Sequence, residues 1–177
     1  MEPLNKKAVR QAVREKIREL TEEQKSAISE QLCAHIAQMK AVAESKVVAL
    51  FISLADEPQT EKLIEALSSK RIVVPRIEGE EMEFYDLAEG LRQGAFNIME
   101  PVATTPIEPS EIDTMIVPGV VFTREGARCG RGKGFYDKYL SRKGFRAHTI
   151  GICYPCQLVD SLPTEPHDKP LDEVVTL

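Results

Sequence analysis

The hydrophobic pattern changes period about a quarter of the way along the chain. Over residues 4–20, Val9, Val13 and Ile17 recur at every fourth position and make one apolar helical stripe. Arg10, Arg14 and Arg18 form a basic stripe one step round the same helix. Thr21 and Gln24 have the spacing of a capping box. The helix they would start carries Ile28, Leu32, Ile36 and Met39 on one face, to about residue 41. From residue 46 the helical period gives way to unbroken apolar runs. KVVALFIS at 46–53 reads as a strand covered on both faces. A polar turn at 55–58 leads to a helix over 59–69 with Leu63, Ile64 and Leu67, and RIVVP at 71–75 is a second strand, stopped by its proline. Strand, helix and strand at this spacing predict a βαβ unit and a parallel sheet.

The later pattern is more broken. Residues 82–87 predict an edge strand, and 101–109, with three prolines, predict a loop. Residues 112–118 give another buried strand, 135–142 resume helical character, and 147–153 and 171–177 give two further strands. No internal repeat or linker interrupts the order. The expectation is a single α/β domain over residues 1–177: a three-layer, open, mostly parallel Rossmann-like sheet with two N-terminal helices.

Composition narrows the class without altering this picture. A chain of 177 residues is long enough to bury a core unaided. Apolar and charged fractions of 42% and 29% are ordinary for a globular protein and argue against disorder. The net charge of −5 argues against a general nucleic-acid binder. No stretch is long and apolar enough for a membrane span, and the N-terminus lacks a signal-peptide core, so a cytoplasmic protein without a membrane partner is expected. Cys33, Cys129, Cys153 and Cys156 are too few and scattered for a disulfide framework. Cys153 and Cys156 have Cys-x-x-Cys spacing, but no second pair completes a zinc site, so both read as structural.

Candidate chemistry gathers at one place. Five of the ten glycines (Gly119, Gly126, Gly130, Gly132 and Gly134) fall within residues 119–134, between a predicted strand and a predicted helix. Ligands of open parallel sheets bind outside the carboxyl ends of strands. Glycines there let backbone N–H groups turn onto an anion, and Arg128, Arg131 and Lys133 add positive charge. Polyphosphate is the ligand that needs all three features. The spacing matches neither a Walker A loop, since position 127 is alanine, nor the dinucleotide fingerprint, since position 135 is phenylalanine. Asp137 in the next helical turn could hold magnesium, and Asp168 could supply a second carboxylate.

Met115-Ile-Val-Pro-Gly-Val-Val-Phe122, followed by Gly126-x-Arg-x-Gly-Arg-Gly-Lys-Gly-Phe-Tyr-Asp137, closely resembles the signature of the 5-formyltetrahydrofolate cyclo-ligase family. That signature runs approximately P-G-x-x-F, then G-x-R-x-G-x-G-x-G-Y-Y-D. The chief departure is Phe135 for the usual tyrosine, which keeps the ring and loses a hydroxyl. Lys6 and Arg10 resemble the family's basic first helix, Glu57 and Thr60 its E-x-x-T segment, and Phe96 to Pro101 its aromatic-x-I-x-E-P element. Gln157, Glu165 to Asp168 and Asp172 to Val174 match its tail.

The resemblance implies a magnesium-dependent enzyme with ATP as co-substrate. It would close 5-formyltetrahydrofolate to the 5,10-methenyl form through a phosphorylated formyl group, releasing ADP and phosphate. It implies ATP contacts from Lys6, Arg10, Arg128, Cys129, Gly130, Arg131, Gly132, Lys133, Gly134, Phe135 and Tyr136. Lys133, Arg131 and Glu57 would carry the catalysis. Ile52, Glu57, Phe96 and Tyr136 would meet the folate, with Phe122 a further aromatic candidate, and Asp137 and Asp168 would hold Mg2+. The expected partners are small molecules, and a monomer is expected. Two other classes are weighed against this one: a nucleotide-binding scaffold that has lost chemistry, and a sugar-phosphate isomerase or CoA-transferase-like enzyme on a similar fold, which would need no ATP.

Overall fold

A computed structural model describes residues 5–177. Leu4, where the first predicted helix begins, lies outside the described residues. Helix α1 (Lys6–Arg18) starts where Asn5 accepts the Ala8 N–H, and its stripe buries Val13 and Ile17. Helix α2 (Glu22–Gln38) opens with both hydrogen bonds of the predicted Thr21–Gln24 capping box. It stops one turn before expected, because Met39 adopts an extended backbone before the short α3 (Lys40–Ala43).

The remaining elements are β1 (Val47–Ala49), α4 (Glu61–Ala66), β2 (Arg71–Glu78), β3 (Glu81–Asp86), β4 (Leu91–Gln93), β5 (Met99–Pro101), β6 (Thr114–Val117), β7 (Val121–Phe122), β8 (Arg128–Cys129), α5 (Phe135–Leu140), β9 (His148–Ile152) and β10 (Glu173–Val175). Six strands form one sheet in the order β10-β9-β6-β1-β2-β3, parallel throughout except for the antiparallel edge strand β3. The chain builds outward from β1 in both directions: β2 lies on one side of it and β6 on the other. This is the topological switch point, where a crevice opens at the carboxyl ends of the strands.

Successive side chains of each strand enter opposite layers. Val48, Leu50, Ile72, Val74, Ile116, Ile150 and Ile152 pack with Cys33 and Ile36 of α2 and Leu63 of α4. Ala49, Val73, Met115 and Val117 face the other way, against Tyr139 of α5 and Phe84. A third cluster sets Val13 and Ile17 of α1 against Val120, Val121, Cys129 and Tyr154. The three-layer, mostly parallel α/β architecture read from the sequence is therefore the observed one. No helix among the described residues is long and apolar enough to cross a membrane.

The differences have local causes. The run at 46–53 pairs with its neighbours only from Lys46 to Leu50, while Phe51 stays buried beyond the ladder. Helix α4 is shorter than expected. β2 continues through Pro75 to Glu78 instead of stopping there. Leu50 N–H donates to the Val73 carbonyl, so Pro75, two residues on, turns its nitrogen toward the same side, where β1 has already ended. Two hairpins lie outside the expected elements: β4–β5, which takes Pro101 out of the expected loop, and β7–β8, between the strand expected at 112–118 and the helix expected at 135–142.

Candidate active site

The loop after β1 and the loop after β6 leave adjacent strands at the switch point. The β1 loop is pinned along its length. Lys25 Nζ donates to the Ala55 carbonyl at 3.4 Å, Tyr154 Oη to the Glu57 carbonyl at 2.9 Å, and Gln59 N–H to Ser29 Oγ at 2.9 Å. Thr60 Oγ1 donates back to the Phe51 carbonyl at 2.7 Å. This framework holds Glu57 at only 6% exposure.

After β6, Gly119 turns the chain where a Cβ would lie 2.7 Å from the Phe122 ring. Buried Gln157 fixes that turn by donating to the Gly119 and Val120 carbonyls. The β7–β8 hairpin then delivers the glycine loop to the crevice. Gly126, at φ +98°, meets Leu171 so closely that a Cβ would sit 2.2 Å from the Leu171 carbonyl oxygen. Gly132 and Gly134 also have positive φ, which an L side chain adopts only with strain.

The two loops meet through Arg131. Its Nη2 donates to Glu57 Oε1 at 2.9 Å and also to Asp56 Oδ1. Burial pushes the Glu57 carboxyl above the usual glutamate range, and the Arg131 guanidinium opposes that push. Arg128 is anchored by its Nε donating to the Pro118 carbonyl at 2.7 Å, and its guanidinium lies 5.1 Å from the centre of the Tyr136 ring. Burial pushes the Tyr136 phenol well above its ordinary range, so it stays protonated at neutral pH.

Helix α1 closes one side. Arg10 Nε lies 3.2 Å from Cys129 Sγ, and its guanidinium reaches within 3.8 Å of where a Gly132 Cβ would stand. Lys6 Nζ donates to Asp168 Oδ2 at 2.6 Å and lies 3.6 Å from Glu165 Oε1. Asp137 is close to the same segment, since Lys169 N–H donates to its Oδ1 at 3.1 Å. Three separate contacts thus flank the glycine loop: Arg10 with Cys129 and Gly132, Arg128 with Gly130, and Arg131 with Glu57, while Lys6 pairs with Asp168 on the segment that also holds Asp137. Lys133 is exposed, and none of the described hydrogen bonds or ion pairs involves it.

Asp137 and Asp168 suit a hard cation in chemistry but form no cage. Among the described residues no group of three His, Cys, Asp or Glu side chains could hold an ion alone. Magnesium, which commonly takes one or two carboxylates and fills its remaining positions with phosphate oxygens and water, fits such a donor set.

The structure does not bring every expected residue here. Phe96 lies at the tip of the β4–β5 hairpin, 95% exposed and with φ +56°, packed against nothing. Phe122 is wholly buried in the core beneath the sheet, so it has no face to offer a ligand. Ile52 is half-buried against the α2–α4 layer, and Phe135 packs into the α5 layer. Burial pushes the Cys153 thiol up to about 12, which leaves it an inert thiol.

Asp56 and Tyr154 are contributors that the sequence reading missed. Asp56 adjoins Glu57 but carries no motif of its own. Tyr154 lies within the Cys-x-x-Cys segment and gains its role only through a contact 97 residues away.

Known proteins resemble this chain along nearly its whole length. A sequence model described as the 5-formyltetrahydrofolate cyclo-ligase family matches residues 3–177. The 5-formyltetrahydrofolate cyclo-ligase of Escherichia coli K12 is 32% identical over 175 residues, covering 93% of this chain and 96% of that protein. Its Mus musculus counterpart is 27% identical, covering 96% and 92%. The solved structure of Aquifex aeolicus 5,10-methenyltetrahydrofolate synthetase superposes with a TM-score of 0.86 at 35% identity, covering 97% of this chain and 89% of that one. A Mycoplasma pneumoniae 5,10-methenyltetrahydrofolate synthetase gives 0.81 at 26% identity, covering 98% and 99%. The chain belongs to the 5-formyltetrahydrofolate cyclo-ligase family.

Proposed function

We propose that this protein uses MgATP to convert 5-formyltetrahydrofolate into 5,10-methenyltetrahydrofolate, releasing ADP and phosphate. The observation that carries the reading is the Arg131–Glu57 contact at the switch point. It joins a phosphate-type glycine loop to a buried carboxylate that suits the N–H donor edge of an aminopterin ring.

An amide oxygen is a poor leaving group until it is phosphorylated. The formyl oxygen therefore attacks the γ-phosphorus and expels ADP. N10 then adds to the activated carbon and loses its proton, and phosphate departs as the methenyl bridge forms. Such chemistry asks the protein mainly for positioning and charge neutralisation. Glu57 orients the pterin, while Ile52 and Tyr136 lie along its path. Lys6, Arg10 and Arg128 hold the polyphosphate, and the backbone from Cys129 to Phe135 wraps it. Lys133 and Arg131 neutralise charge on the transferring phosphoryl group. Asp137 and Asp168 would hold Mg2+, which supplies further charge neutralisation on the phosphates when bound. Phe96 could reach the folate only by movement of its hairpin, so its role in this reading depends on that movement.

The test is direct: incubate the protein with 5-formyltetrahydrofolate and MgATP and follow the absorbance of methenyltetrahydrofolate. ATP-dependent product is expected. Its absence overturns the proposal and leaves the two other classes, a nucleotide-binding scaffold without chemistry and an ATP-independent enzyme on a similar fold.

A further inference from the structure

We propose that Asp56 is a positioning residue: it holds Arg131 in place so that the guanidinium serves the phosphate site while Glu57 remains available to the folate. This rests on the reading of the site given above and assigns a role to a residue for which the resemblance implied none.

Arg131 sits between Gly130 and Gly132, the latter at φ +103°, so the local chain does little to restrict its side chain. Asp56 lies in the opposite circumstance. Lys25 and Tyr154 clamp the carbonyls of its two neighbours, Ala55 and Glu57, so its carboxylate projects from a fixed point. A fixed acid facing a freely hinged base sets where the base points.

Donor bookkeeping sharpens the role. Arginine has five N–H donors, two of them on Nη2. Both described Arg131 side-chain bonds leave from Nη2, one to Asp56 and one to Glu57. The Nε–H and both Nη1 hydrogens carry no protein partner among the described bonds. With 39% of its side chain exposed, Arg131 can turn that free edge to an anion. Glu57 spends only Oε1 on Arg131, so Oε2 stays free for a ligand donor. Without Asp56, Glu57 would be the sole carboxylate holding Arg131, and pterin and guanidinium would compete for one buried group. Asp56 removes the competition, and its own partial exposure, 34% of the side chain, suits a residue that touches no substrate.

A double-mutant cycle tests the idea with the full chain. Asp56→Asn is expected to lower kcat about tenfold, the scale of a modest misplacement of a reacting group, with the KM for ATP and for 5-formyltetrahydrofolate changed by less than about twofold. Thermal stability should be unchanged, and Asp56→Glu should restore most of the rate. In an Arg131→Gln background, Asp56→Asn should cost nothing further, because the residue acts through Arg131. A wild-type kcat in Asp56→Asn, or independent additive losses in the double variant, overturns the proposal. An activity-free readout separates this from failure of the reaction assignment. In 15N-labelled protein the Arg131 Nη2 resonance should be resolved from that of Nη1 in wild type and Asp56→Glu, where the bonded group rotates slowly, and averaged with it in Asp56→Asn. If the wild type makes no methenyl product, the assigned reaction falls while the resonance still decides the contact. A resonance indifferent to Asp56→Asn rejects the positioning role whatever the activity.

Discussion

Lys6 Nζ and Asp168 Oδ2 are 2.6 Å apart, joining the first helix to the C-terminal segment across 162 positions of sequence. Burial alone would raise the Asp168 pKa, but Lys6 and the Glu165 N–H outweigh it and hold the carboxyl below its usual range. Burial likewise works against the Lys6 charge, and Asp168 overcomes it to raise that pKa. The stability this pair adds is therefore present above the ordinary aspartate range. It is lost as pH falls through the depressed Asp168 value, and at the alkaline end as pH rises through the raised Lys6 value. Lys6→Met should lower Tm slightly at neutral pH, with the gap from wild type closing as the pH falls below the ordinary aspartate range. A gap that persists at pH 2 would show that the pair contributes through packing, not charge.

Glu57 gives the site a pH signature. Burial disfavours its charged form and lifts its pKa, while Arg131 lowers it. Ionised Glu57 is the form that accepts pterin N–H donors, so kcat/KM for 5-formyltetrahydrofolate should fall on the acid side at a pH above the ordinary carboxylate range. Removing the opposing cation with Arg131→Gln should move that acid limb to still higher pH. A pH–rate profile whose limb stays in place in the variant would dissociate Glu57 from folate binding.

Lys133 separates chemistry from folding. It is exposed and takes part in none of the described hydrogen bonds or ion pairs, so Lys133→Ala should change stability by less than about 0.5 kcal/mol. Losing one charge-stabilising donor should nonetheless reduce kcat by about 100-fold or more. Denaturant unfolding and steady-state rates measured on the same preparation check both halves. An unimpaired rate removes Lys133 from the phosphate site.

For the metal, Asp137→Asn replaces a carboxylate whose Oδ1 already accepts the Lys169 N–H with a neutral amide of the same shape. The magnesium titration of activity should shift to higher concentration with the fold intact. An unaltered titration curve excludes Asp137 as a ligand.

Gly126→Ala tests the architecture instead. Its φ of +98° and the Leu171 carbonyl 2.2 Å from the would-be Cβ leave no room for a methyl group. A loss on the order of 2–4 kcal/mol is expected from backbone strain and crowding together. A variant as stable as wild type in chemical denaturation would mean that the Leu171 segment yields easily.

What the sequence made legible follows from the range of the interactions involved. The buried strands and the Thr21 cap depend on neighbours a few positions away, so apolar runs and one capping pair sufficed to place them. The glycine loop was visible for the same reason: Gly130, Gly132 and Gly134 announce unusual backbone within five residues. The β4–β5 hairpin was not, because its strands are three residues long and largely exposed, leaving no alternating pattern to read. Arg131 meeting Asp56 and Glu57, 75 and 74 positions away, depends on β1 and β6 becoming neighbours, and no local signal carries that. Phe96 shows the converse: a resemblance placed it at the folate, and a left-handed hairpin tip holds it in solvent.

The segment from Asp168 to Leu171 straps the glycine loop to the first helix. Lys169 N–H donates to Asp137 Oδ1, Leu171 N–H donates to the Gly126 carbonyl, and Asp168 Oδ2 accepts from Lys6. A ribosome delivers the glycine loop some forty residues before this strap, so an unfinished chain has the loop without the clasp that fixes it. Strands β1, β2, β3 and β6 all precede this strap, so those pairing partners exist before the clasp does. The charges around the crevice reach their final arrangement only once this later-made segment has fastened the loop they surround.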